Sequence, residues 1–292
     1  MTDPAPTPES YPLEFRALLV RELETVGLGL KAWRDGGIEV ETETGSDRFF
    51  SLASLYQRVT TASPDDTLTL VRTFCQYATV GDPDELASMP TTMEDAADRL
   101  MVRIAQPSED GTNAVWPVPG IEDLSVQLVI DFPTMLAYVP AAMIAKSETP
   151  ANEWLYRGLD HLAARTPEGW LRLTHEAEGI YCGHADDSYD AARALVICEL
   201  TNSDDLGWLV AIPNRDWLFA RRVEKEGLPY FHLLKVLARQ AMADQPHPLT
   251  DEIFWIRPGK SWERFRIEFE DEKVTVYPPP EFAQLLELKL DE

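Results

Sequence analysis

Hydrophobic and polar positions recur along this chain in two rhythms, and the change from one to the other marks its organisation. In the first hundred residues most apolar positions fall at helical spacing. Phe15, Leu18, Leu19, Leu23 and Val26 share one side of a helix that Gly27 and Gly29 end. Leu70, Val71, Phe74, Cys75 and Ala78 form the buried side of another, which opens at Ser63-Pro64 with proline in its first turn. Ile38 to Thr42 alternates with period two, as a strand with one wet face does. Phe49, Phe50, Leu52, Leu55 and Tyr56 are an aromatic-rich run passing into a second helix and read as core packing. A short helix around Met93 to Ala97 precedes a strand, Leu100 to Ile104.

Residues Gln106 to Gly120, with three prolines and two glycines, mark the expected boundary between parts, because strand patterns dominate beyond them. Leu124 to Phe132 reads as a central strand with Ala137 to Val139 as its partner. Trp154, Leu155, Gly158, Leu159 and Leu162 mark a helix carrying His161 on its apolar side, where a hydrogen-bonded core histidine is the plain reading. Trp170 to His175 begins a sheet segment. Leu228, Phe231, Leu234, Ala238 and Ala241 form a long helix. Ile253 to Ile256, Phe265 to Phe269 and Val274 to Tyr277 are strands. The expected fold is therefore α/β, or α+β. A flexible tail covers residues 1–10 and a helix-rich α/β part residues 11–110. A larger part over residues 121–292 is built on a mixed, mostly antiparallel sheet with helices over one side.

The densest stretch runs from Glu178 to Val223. Asp186, Asp187 and Ser188 place three acceptor side chains before a helical pattern, Ala191, Ala194, Leu195 and Cys198, whose apolar side is mostly small and suited to lying close on a sheet. With Asp187 as N-cap, Asp190 falls three positions on, where a carboxylate answers the free N–H groups and the helix dipole. Trp208 to Ile212 is a nearly continuous apolar run, typical of a strand covered on both faces. Pro213, Asn214, Arg215 and Asp216 then form a turn into Trp217 to Ala220, leaving two charged groups at a hairpin tip.

Three segments in this half carry a resemblance: Asp187 to Arg193 (DSYDAAR), Ala211 to Asp216 (AIPNRD) and His247 to Asp251 (HPLTD). With Ser51 to Tyr56 (SLASLY) and Val129-Ile130-Asp131, the pattern resembles the YtpQ-like family of bacterial proteins over about Phe15 to Ile267. The resemblance implies a compact cytosolic α/β fold. That family brings no assigned activity, so no catalytic role is carried over.

Charge changes the picture more than composition does. Fifty acidic residues against 26 basic give a net charge of −24, which repels nucleic acid and anionic membranes and steers the molecule toward basic partners. Cys75, Cys182 and Cys198 are odd in number and lack C-x-x-C spacing, so neither a disulfide framework nor a thiolate zinc site is indicated. No apolar run reaches the length of a membrane span. The expected location is cytoplasmic.

Two chemistries are available to the dense stretch. His184, Asp186, Asp190 and Asp216 are a ligand set acceptable to a divalent metal, and would serve a metal-dependent hydrolase or nuclease; capping plus a solvated acidic turn is the plain alternative. Asp186, Asp187, Tyr189, Asp190, Asn214, Arg215 and Asp216 could instead form a non-enzymatic surface for another protein, in an adaptor or immunity-like role without a cofactor. Arg215 could hold a carboxylate or phosphate through two parallel bonds, or pair locally with Asp216. Both readings require the acidic bend and the hairpin tip to lie side by side.

Overall fold

A computed structural model of the chain describes residues 11–34, 36–41, 47–79, 89–107, 112–132, 136–174, 179–185, 187–224, 231–244, 247–270 and 273–284. It divides between Met89 and Pro90 into two units. In the first, helix α1 (Leu13–Thr25), helix α2 (Ala53–Thr61) and helix α3 (Pro64–Thr79) accompany an antiparallel sheet of β1 (Gly29–Arg34), β2 (Gly37–Glu41) and β3 (Asp47–Ser51). Phe15, Leu19 and Leu23 of α1 meet Ile38 and Val40 of β2 and Val71 and Cys75 of α3 in one core. Glu22, buried on α1, is held by Arg72 of α3 at 3.0 Å. β1 and β3 flank the one strand that periodicity picks out, and neither alternates cleanly enough to be read alone.

The second unit contains two antiparallel sheets. In the smaller, β6 (Ile121–Asp131) pairs with β4 (Leu100–Ala105) along one edge, and with β5 (Val115–Val118) and β7 (Leu136–Tyr138) along the other. Because β4 pairs residue for residue with β6, the described residues from Pro90 onward belong to this unit rather than to the first. The proline-rich boundary expected over residues 106–120 contains β5 instead. Pro117 hides it, since proline is tolerated where no ladder bond is required of its nitrogen.

The larger sheet runs β14-β13-β12-β10-β11-β9-β8. Its strands are β8 (Leu171–Leu173), β9 (Tyr181–Gly183), β10 (Trp208–Asn214), β11 (Trp217–Arg222), β12 (Ile253–Ile256), β13 (Glu263–Glu270) and β14 (Lys273–Tyr277). Every residue of β10 is buried, as its unbroken apolar run predicts. One face packs against the helix Phe231–Asp244: Leu209, Ala211, Phe219, Ile253, Trp255 and Phe265 join Phe231, Leu234, Ala238 and Ala241. The other face receives the alanine-rich segment Ala191–Leu195, which also lies against β4 of the smaller sheet. Ala191, Ala192 and Ala194 are buried, and their size permits this close approach to two sheets. The segment is a 3-10 helix that breaks at Val196 and resumes as a short α-helix, Ile197–Leu200, where one longer helix was expected. Residues three apart, such as Ala191 and Ala194, share a face in either helix type, so that spacing does not separate the two.

A longer helix, Ala151–Arg165, lies against β4. Its Gly158 permits the contact, because a Cβ there would come within 2.9 Å of Leu128 and Val102 side chains. His161 on this helix uses Nδ1 to donate to the Leu100 carbonyl at 2.9 Å, the core role its position predicts. At Gly207, just before β10, φ is +67° and a Cβ would meet the Ile256 carbonyl oxygen at 2.0 Å. Glycine there lets β10 enter beside β12. No helix among the described residues is long and apolar enough to cross a membrane.

Candidate functional site

The acidic bend is built around Arg193, which has no solvent exposure. Its two terminal nitrogens hold both oxygens of Asp187 at 2.7 Å in a bidentate pair. One of them also reaches Asp190 at 3.1 Å, and Nε donates to the Thr166 hydroxyl at 2.9 Å. Its guanidinium lies over the Trp170 ring, 5.8 Å from the centroid. Asp187 accepts a further bond from the Tyr189 N–H at 3.2 Å, closing an Asx turn across Ser188, whose φ is +62°. Asp187 therefore serves this turn and Arg193, and the 3-10 helix begins without a side-chain cap.

Asp190 accepts from the Ala185 N–H at 3.3 Å, and Gly183 leaves room for it, since a Cβ there would sit 3.0 Å from the Asp190 side chain. Burial raises the Asp190 pKa despite Arg193 and the Ala185 N–H, which oppose it. Burial also pushes Asp187 upward, but its bonds to Arg193, the Tyr189 N–H and the charge of Arg165 outweigh it, so Asp187 lies below the ordinary carboxylate value.

Tyr189 is buried, and its hydroxyl donates to Asp131 at 2.7 Å. Arg165 pairs with the other oxygen of Asp131. The Arg103 and Arg165 guanidinium groups lie 5.4 Å and 5.6 Å from the Tyr189 ring centroid. Burial and the bond to Asp131 raise the Tyr189 pKa. The residue that joins bend to tip is Arg103 of β4: it donates to the Ser188 carbonyl at 3.0 Å and lies 3.7 Å from Asp216. Bend and tip are thus neighbours within the second unit, linked by a residue from neither.

At the tip, β10 continues through Pro213 to Asn214, past the strand end expected at Ile212 and into the expected turn. Its register against β11 shifts between Ala211 and Asn214, which accommodates the proline. The Pro213 carbonyl accepts from the Leu249 N–H at 2.8 Å and Asn214 bridges Pro248, so the His247-Pro248-Leu249 segment lines the outer side of the tip. Asn214 is fully buried, and its Oδ1 accepts from the Asp216 N–H at 2.9 Å. The Asp216 Oδ1 lies 3.4 Å from Arg215 Nε, without hydrogen-bond alignment to either neighbouring arginine. The Arg103 and Arg215 Nε groups and the Asn214 Nδ2 are buried with no acceptor among the described residues.

Burial, followed by the charge of Arg103, pulls the Arg215 pKa down, with Asp216 opposing. His247 is pulled down to about 4 by burial and then by Arg215 and Arg103. Arg103 and Arg215 thus set two cations against the one Asp216 carboxylate, in a strongly acidic chain.

The candidate surface residues are therefore disposed differently from an exposed rim. Tyr189, Asp190 and Asn214 are buried and Asp187 is half-buried, while Arg215 and Asp216 are each about one-third exposed. Asp186 lies outside the described residues. Of the metal set, His184 is exposed, the Asp190 carboxylate carries Arg193 and the Ala185 N–H, and Asp216 stands between two arginines. Among the described residues no group of three or more His, Cys, Asp or Glu is placed to hold a metal ion.

Arg103, Arg193 and His247 are the residues that sequence reasoning left without a role. The signal for two of them was present: each arginine interrupts an apolar run, and a charge at an inward position needs a partner. Comparison with family models, with curated proteins and with solved structures finds no match.

Proposed function

We propose that the chain is a non-catalytic binding module that recognises another protein through the tip of the β10–β11 hairpin. The observation that carries this reading is a partly exposed arginine presented on a fixed turn. Arg215 is 33% exposed and stands next to Asp216, whose N–H is held by the buried Asn214. Trp217, at the start of β11, and Tyr138 of β7 are both substantially exposed. Tyrosine, tryptophan and arginine dominate binding energy at protein interfaces, and a turn held from behind loses little freedom on docking. The charge of −24 favours a partner that is basic overall.

The test is cross-linked capture from the native host with wild type, Arg215→Ala and Trp217→Ala side by side. A partner held by wild type and lost from both variants, at unchanged melting temperature, supports the tip as the recognition element. Equal capture by all three proteins would remove it.

A further inference from the structure

We infer that the hairpin tip holds an oxyanion of its partner, a carboxylate or a phosphate, between Arg103, Arg215 and Asn214; this deepens the binding reading above and rests on it. Three buried N–H donors have no acceptor among the described residues: Arg103 Nε on β4, and Arg215 Nε and Asn214 Nδ2 at the turn. They belong to one place. The Asp216 Oδ1 lies within 3.7 Å of Arg103 and 3.4 Å of Arg215, and the Asp216 N–H is bound to the side chain of Asn214.

A donor left buried without an acceptor is unfavourable, and an incoming acceptor recovers that loss. Two guanidinium groups against one carboxylate leave a positive charge, and His247, held uncharged at neutral pH, adds none of its own. That balance selects an anion over a cation. The exposure of Arg215 and Asp216, 33% and 30%, gives a ligand its approach. The Arg103 terminal nitrogen is already committed to the Ser188 carbonyl, so this arginine is fixed before any ligand arrives.

The experiment is a titration of the full chain, labelled with nitrogen-15, followed through its arginine Nε–H signals at pH 7. Sodium phosphate and sodium acetate are the two probes, with ionic strength held constant by sodium chloride. Saturable displacement of two arginine signals by either probe is expected, with one of them absent from Arg215→Gln and the dissociation constant at least ten-fold weaker in that variant. Phosphate saturating alone would assign a phosphate, and acetate saturating alone a carboxylate.

Linear drift with both probes, or an equal constant in the variant, would overturn the inference. If Arg215→Gln fails to fold, Arg215→Lys takes its place. It keeps the charge without the fork, and a constant equal to wild type would overturn the inference as well. Because the titration needs no partner, its failure alongside partner loss in Arg215→Ala removes only the oxyanion. Its success without any captured protein removes only the protein partner.

Discussion

Two arginine clusters occupy neighbouring positions in the second unit, one around Arg193 and one around Arg103 and Arg215, and they are completed to different degrees. Arg193 spends Nε and both terminal nitrogens on Thr166, Asp187 and Asp190, and has no exposure. At the tip, both Nε groups and an asparagine amide have no acceptor among the described residues, and the shared Asp216 Oδ1 lies at ion-pair distance from two guanidinium groups, 3.7 Å and 3.4 Å away. A buried polar network with every member satisfied fixes a fold, whereas one left open stores unfavourable energy that a ligand can release. The difference separates scaffold from site more sharply than charge or exposure does.

The largest test of that separation is Arg193→Ala. It strands the buried Asp190 carboxylate and the half-buried Asp187 carboxylate and should cost about 3–5 kcal/mol in urea unfolding. A loss below about 1 kcal/mol would mean that the closed cluster is not what holds the bend.

Next are the two aspartates, whose pKa values move in opposite directions. Asp187→Asn should cost about 2 kcal/mol at pH 7, since it weakens charge-assisted bonds to a buried partner. Asp187, lowered, gives stability present above the ordinary 3.8 and lost as pH falls through its own value. Asp190, raised, gives stability present below 3.8 and lost as pH rises through its own value. Acid unfolding should therefore flatten in Asp187→Asn and steepen in Asp190→Asn. Urea midpoints collected from neutral pH into acid check this, and a change of the same sign in both variants would contradict the assignment.

Tyr189→Phe removes one bond to Asp131 while Arg165 remains, so a loss of about 1 kcal/mol is expected in the same assay. Smallest is Arg215→Ala. Its charge is desolvated and repelled by Arg103, so stability should stay within about 0.5 kcal/mol of wild type even though binding is lost. A loss of 2 kcal/mol or more would place the tip with the scaffold and end the contrast.

The sheet strands were legible where one pattern dominated. Trp208 to Ile212 reads as a strand covered on both faces and is one, and the 253–256, 265–269 and 274–277 runs fall in β12, β13 and β14. β5 was not legible, because Pro117 carries a breaker signal wherever it occurs. The small-residue side of Ala191 to Leu195 was readable, but not its 3-10 form.

The adjacency of bend and tip could be framed from the sequence, whereas their burial could not. Asp187 and Asp190 look solvated beside one another, and only the neutralising arginine a turn later brings them inside. Its supporting partners come from far along the chain: Arg103 reaches Ser188 across 85 positions and Tyr189 reaches Asp131 across 58. Local spacing carries no record of pairs that distant.

The last strand of the larger sheet has a practical consequence. β14 pairs with β13, Val274, Val276 and Tyr277 are exposed along it, and no strand among the described residues pairs with its outer edge. An open ladder of that kind can pair with a second copy, and a net charge of −24 opposes the approach of that copy. Acidification toward the isoelectric point near 4.5, or concentrated salt, removes that barrier. Edge-to-edge pairing through β14 is therefore expected to grow near that pH or in concentrated salt, which light scattering across pH checks.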